Sequence, residues 1–234
     1  MIVNNKIVKT FTHTIYCFPN KWTTWGAGVA YQKNWTTDIS VVKSYIKNGV
    51  YHFNPEDIPH EIKGENDFSY AVHTLTQKFG IRLDSLTIEA RLKNPESEGG
   101  ESCFNQEISL TDKKDNAVDA VFTMVGCTDF ARLIVGNSYL RFYTPEKNNE
   151  DNLDLDLFGV NHNEWNIFKI RLLGNVIEIF VNDKLVFKNI YSGQEKFSEL
   201  EDLRFVFKGT GSIDWVKLSN SATDKVIYTT DFDE

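Results

Sequence analysis

The chain has 234 residues, 41% hydrophobic and 25% charged, with a formal net charge of −8. That is the profile of a globular protein with enough chain to bury a large core, and it excludes intrinsic disorder. The acidic balance argues against nucleic acid, whose binders carry basic patches, and against anionic membrane surfaces; neutral sugars, cationic groups and metal ions stay compatible.

The first residues, MIVNNKIVKT, do not make a signal peptide, because Asn4, Asn5 and Lys6 interrupt any apolar run. No later stretch approaches the length of a membrane span, so no membrane insertion is expected. The expectation is a chain that is cytoplasmic or that starts after a removed signal. Its Asn/Lys/Ile-rich composition looks bacterial, which leaves little meaning in the Asn34-Trp35-Thr36 sequon.

Strands are expected around Lys6–Ile15, Gly28–Lys33, Ser40–Tyr45 and Val50–Phe53, then a loop over Asn54–Asn66 punctuated by Pro55, Pro59 and Gly64. From Leu86 the chain alternates at period two. Leu86, Ile88, Ala90 and Leu92 share one strand face, with Thr87, Glu89 and Arg91 on the other. Phe104 to Leu110 repeats the pattern, setting Phe104, Ile108 and Leu110 against Asn105, Glu107 and Ser109.

Further strands are expected at Ala120–Val125, Phe130–Val135, Tyr139–Tyr143, Trp165–Leu173, Val176–Val181, Leu203–Lys208, Ser212–Leu218 and Lys225–Phe232. Leu173-Gly174-Asn175 and Val181-Asn182-Asp183-Lys184 are short polar links of the hairpin kind. Phe197 to Leu203 has room for one turn of helix opened by Ser198. Many short strands with frequent turn signals, no linker and no repeat predict one all-β domain over 1–234, a two-sheet antiparallel β-sandwich.

Trp165-Asn-Ile-Phe-Lys-Ile-Arg-Leu-Leu-Gly-Asn-Val-Ile-Glu-Ile-Phe-Val-Asn-Asp-Lys-Leu-Val resembles a strand pair of the laminin G-like jelly rolls. Gly209-Thr-Gly-Ser-Ile-Asp-Trp-Val-Lys-Leu is similar to the closing strands of bacterial concanavalin A-like domains that accompany glycoside-processing enzymes. The resemblance, to the concanavalin A-like lectin/glucanase superfamily, runs from Leu86 onward. It implies a jelly roll and, with it, a carbohydrate ligand held on a concave sheet face. Such folds host lectins, hydrolases, lyases and adhesion modules alike, so activity has to be argued from a site.

In similar jelly rolls the polar face carrying Glu89 and Arg91 lines the sugar groove, with Glu107 expected on the same face of a nearby strand. Carboxylates so placed stand roughly 5–10 Å apart, within glycosidase geometry; a cross-strand salt-bridge ladder is the alternative. If the chain is an enzyme, a hydrolase or a lyase, Glu89 and Glu107 serve as acid and base and Arg91 holds the substrate. The Glu-x-Asp-x-x-Glu string of laminarinase-like hydrolases is absent. The Arg-x-Glu and Gln-Ile-His strands of alginate lyases meet a reversed Glu89-Ala-Arg91 and a Gln106-Glu-Ile-Ser109 without histidine.

Trp22, Trp25 and Trp35 are the aromatic candidates for stacking on sugar rings, with Asn105 beside them as a polar ligand-binding candidate; the alternative is that the tryptophans plug one end of the sandwich. Trp165 and Trp215 are assigned to the core. Asp214 resembles an Asp that holds a structural calcium in many carbohydrate-binding jelly rolls, with Asp231 and Asp233 as secondary candidates. Cys17, Cys103 and Cys127 are too few for a disulfide framework and read as free thiols, with a Cys103–Cys127 pair as the alternative. No other cofactor is called for. Three readings follow: a carbohydrate-binding domain, a glycan-processing enzyme and a protein-binding adhesion module.

Overall fold

The alternation in Leu86–Leu92 is realised as a pleat: Leu86, Ile88, Ala90 and Leu92 are completely buried, and Glu89 and Arg91 face outward. The computed structural model describes residues 2–3, 6–7, 9–14, 30–31, 35–37, 45–53, 70–75, 79–95, 104–125, 131–136, 138–143, 158, 160–190, 197–208 and 211–232. The strands of the first half are β1 (Ile2–Val3), β2 (Lys6–Ile7), β3 (Lys9–Thr14), β4 (Ala30–Tyr31), β5 (Trp35–Thr37), β6 (Tyr45–Lys47), β7 (Val50–Phe53), β8 (Tyr70–Leu75), β9 (Leu86–Lys93) and β10 (Phe104–Asp112). The second half adds β11 (Ala117–Val125), β12 (Ala131–Val135), β13 (Ser138–Tyr143), β14 (Asn166–Leu173), β15 (Val176–Val181), β16 (Lys184–Ile190), β17 (Leu200–Lys208), β18 (Gly211–Asn220) and β19 (Val226–Thr230). Among the described residues no helix is long and apolar enough to cross a membrane.

Two antiparallel sheets form the body. One has nine strands in the order β3-β13-β12-β11-β10-β17-β8-β5-β4; the other has eight, β16-β15-β14-β9-β18-β7-β6 with β19 beside β18. The expected β-sandwich is what the chain forms. Its core joins Ile108, Leu110, Phe205 and Phe207 of the nine-stranded sheet to Ile88, Phe168, Ile170 and Leu218 of the eight-stranded one. Phe122 and Phe168 meet across the layers, ring centroids 4.1 Å apart. Each such side chain contributes roughly 1.5–3 kcal/mol on burial.

Where period two breaks, the sequence reading departs from the structure. In β16 both Val186 and Phe187 are buried beside a register shift at Ile179/Phe180, so no alternation marks that strand. The short β5 and the β8 strand were not expected either. Phe197 to Leu203 does not turn helical. The Leu200 amide donates to the Ile81 carbonyl and Leu200 opens β17, because its side chain completes the core. The three cysteines and the 54–66 loop lie outside the described residues.

Asp112 ties the β10–β11 hairpin to the start of β17. Fully buried, its carboxylate accepts from the amides of Ser198 (2.6 Å), Lys114 (2.8 Å) and Asn116 (3.0 Å). Burial pushes its pKa up, but the Ser198 amide and then the Asn116 and Lys114 donors outweigh it and leave the pKa below the ordinary value of 3.8. A depressed folded-state pKa means the carboxylate's stabilisation is complete above the unfolded value and is lost as pH falls through the lower folded one. Asp112→Asn is therefore expected to destabilise the protein by roughly 1–3 kcal/mol at neutral pH. Urea melts at several pH values check this; a stability gap that stays constant from pH 7 down to pH 2 would rule out the carboxylate as its source.

Candidate functional site

The outward face of the eight-stranded sheet carries two polar rows set by register. In the first, Phe180, Lys169, Glu89 and Lys217 stand side by side on β15, β14, β9 and β18. In the second, Lys188, Glu178, Arg171, Thr87 and Ser219 run across β16, β15, β14, β9 and β18. Glu89 thus has a lysine on either side, and one of its oxygens, Oε1, lies 3.1 Å from Lys217 Nζ and 3.8 Å from Lys169 Nζ. The Lys169 ammonium also sits 5.6 Å from the centre of the Phe180 ring.

Between the rows lies a depression of about 380 Å³, lined by Thr87, Glu89, Lys169, Arg171, Lys217 and Phe180 together with Ser219 and Asp224. Arg171 is fixed from two directions, by Glu178 at 3.3 Å and by the Ser221 carbonyl at 3.1 Å. Lys188 first, and Arg171 after it, hold the Glu178 carboxyl below its ordinary range against the opposing effect of burial. Thr87 is 3% exposed, and among the described residues its hydroxyl has no hydrogen-bond partner.

Beside the depression, Arg91 packs over the Trp165 ring, 5.1 Å from its centre, and stands opposite Trp215 on β18. Trp165 and Trp215 are half-buried and stand outside the core cluster, so assigning them to the core was wrong. For Trp215 the cause is a β-bulge between Ile213 and Trp215, which puts two residues of β18 opposite Arg91 and resets the alternation, whereas Trp165 shares the outward parity of Ile167 and Lys169. With Phe180 they give this face three aromatic side chains, none of them among the N-terminal tryptophans. Lys169 and Arg171 were readable as outward residues from their period alone.

The structure separates Glu107 from Glu89 and Arg91. Glu107 lies on β10, in the nine-stranded sheet, and faces outward on the far side of the sandwich. The acid–base pair expected on one face is split, because β9 and β10 are consecutive in sequence but belong to different sheets. Glu107 instead shares its face with Asp119 of β11 and Arg204 of β17. The Ser109 hydroxyl donates to Asp119, and both carboxylates are buried although they point away from the core. Asn105 is on β10, two residues before Glu107, and Trp35 is on β5 opposite Leu75. Trp22 and Trp25 lie outside the described residues.

No family model and no curated protein matches this sequence. Solved structures do. A sialidase matches over 84% of this chain and 18% of its own, at 11% identity and a TM-score of 0.52. The carbohydrate recognition domain of Emp47p matches over 81% of this chain and 89% of its own, at 10% identity and a TM-score of 0.52. The endo-β-1,3-glucanase from Pyrococcus furiosus matches over 93% and 96%, at 10% identity and a TM-score of 0.50. The fold is that of the concanavalin A-like lectins and glucanases. At such identities the likeness is one of fold, and this chain spans only 18% of the sialidase's length.

Within this concanavalin A-like sandwich Asp214 occupies the bulge of β18, where the neighbouring strand changes from β7 to β19. Near there Phe232, at the C-terminal end of the described chain, stacks on Tyr51 of β7 at 5.6 Å, and not on an N-terminal strand. The described side chains around Asp214 do not fit a calcium ion; Asp233 lies outside the described residues. Asp214 brings one carboxylate, its Oδ2 is 2.6 Å from Arg91 Nη1, and among the described residues no group of three or more His, Cys, Asp or Glu is placed to hold a metal. Calcium prefers six or more oxygens and no competing guanidinium. Any difference in melting temperature between calcium and chelator is expected to be the same in the parent and in Asp214→Ala. A shift seen in the parent alone would restore Asp214 as a ligand.

Proposed function

We propose that the chain is a carbohydrate-binding domain that takes a glycan on the outward face of the eight-stranded sheet, in the depression around Glu89 and Phe180. A sugar ring offers apolar C–H faces and a rim of hydroxyls. It is therefore held by an aromatic face together with a few converging polar groups. The observation that carries the reading is that the depression has both: Phe180 on one side, and Thr87, Glu89, Lys169, Arg171, Lys217 and Ser219 around it. Trp165 and Trp215 beside Arg91 extend the aromatic surface along the same face.

Analogy of fold supports the same reading, since a carbohydrate recognition domain and a glucanase share this sandwich. The division of Glu89 and Glu107 between opposite outward faces removes the carboxylate pair on which the hydrolase reading rested.

The test is a glycan array followed by calorimetry on the hits. Phe180→Ala is expected to weaken binding by roughly 2–10-fold, the equivalent of losing about 0.5–1.5 kcal/mol of ring contact. Failure of the parent protein to bind any plant, algal, microbial or host glycan would sink the proposal.

A further inference from the structure

Resting on the glycan reading, we infer that the depression selects an acidic sugar, a uronate or sulfated residue whose anion is received by Lys169 and Lys217 with the Thr87 hydroxyl beneath it. Three cationic side chains line the depression against two carboxylates, although the whole chain carries a net charge of −8. Local positive charge on so acidic a protein is a property of this face and not of the surface at large.

The donors there outnumber the acceptors. Lys169 and Lys217 approach the same oxygen of Glu89, and each ammonium has three N–H groups to place. At 3.8 Å the Lys169 contact is loose, and at 33% and 39% exposure both lysines can turn toward a ligand at little cost. Arg171 is fixed by Glu178 and Ser221, so it adds charge to the wall without having to move.

Thr87 supplies the independent sign that something binds. By register it stands between Arg171 and Ser219, it is almost wholly buried, and its hydroxyl has no partner among the described residues. A buried hydroxyl left without a partner destabilises the fold, and valine would fill the same volume without that cost. The hydroxyl is sealed from solvent as it stands, so a turn about χ1 from one staggered rotamer to the next is what presents it to a ligand oxygen in the depression and gives it the acceptor it lacks. An anionic oxygen satisfies it and the two ammoniums together, and charge-assisted hydrogen bonds are the stronger kind.

The experiment uses matched pairs: oligogalacturonate against its carboxyl-reduced neutral form, and dextran sulfate against dextran, each titrated by calorimetry at low and high salt. The acidic member of at least one pair is expected to bind tenfold or more tighter than its neutral partner at low salt, with the gap closing as salt rises. Lys169→Gln and Lys217→Gln should each cost roughly tenfold on the acidic ligand. Thr87→Val should cost about 3–10-fold without lowering the melting temperature, which a purely structural hydroxyl would not do.

Equal affinity within both pairs, binding of the neutral member alone, or acidic binding untouched by the lysine variants would overturn this inference while leaving the glycan reading standing. Inorganic sulfate binding as tightly as the sulfated glycan would also overturn it, by making the site one for anions and not for sugars. No binding in either pair or on the array would remove both proposals together.

Discussion

Two antiparallel sheets press their apolar faces together, and that contact decides where the alternating polar residues of β9 and β10 can go. With Ile88, Ala90 and Leu92 committed to the core, Glu89 and Arg91 have only the outward face of the eight-stranded sheet. With Ile108 and Leu110 committed on the other layer, Glu107 and Ser109 have only the opposite outward face. The roughly 10 Å thickness of such a core, filled with rings such as Phe122 and Phe168, keeps the two outward faces apart. A sandwich therefore offers two independent surfaces for function, and residues that are neighbours in sequence pattern can be strangers in space.

On the eight-stranded sheet the polar face separates groups that are held from groups that are available. Glu178 is braced by Lys188 at 2.7 Å and in turn braces Arg171, whose second nitrogen reaches the Ser221 carbonyl. That chain of contacts crosses three strands and fixes one wall of the depression. Glu89 is different. One oxygen serves two ammoniums, one of them only at 3.8 Å, and such loosely shared, partly exposed pairs contribute little net stability because solvent and side-chain entropy offset the attraction. Weakly held charges reorganise for a ligand at small cost, whereas braced ones set the shape into which it must fit.

Much of the sandwich was legible because period two is a strong signal wherever one face is buried. Leu86–Leu92, Trp165–Leu173 and Val176–Val181 reappear as β9, β14 and β15 with bounds shifted by a residue at most. Gly211 carried part of the family resemblance, and its physical reason is visible: a Cβ there would overlap the Phe207 ring. The site was less legible. Alternation tells which residues share a face of one strand, but not which sheet the next strand joins, so Glu107 was placed beside Glu89. Bulges conceal themselves in the same way. The extra residue at Asp214 turns Trp215 outward, and the register shift beside Phe180 hides the β16 strand. A hydroxyl such as that of Thr87, buried without a partner among the described residues, leaves no trace in sequence at all, since threonine is an ordinary strand residue.

The same partition explains why this fold is a poor guide to chemistry and a good scaffold for it. The side chains that line the depression come from β9, β14, β15 and β18, with Asp224 from the turn that follows. None of them belongs to the core cluster. Their exchange alters the outward charge pattern while the buried alternates continue to hold the sheets together. Position in the depression comes from strands pinned by the core, so the geometry of the site is rigid even though its chemical identity is free to vary. Binding and stability are then separable properties here, the first written in the odd-numbered residues of β9 and the second in the even-numbered ones.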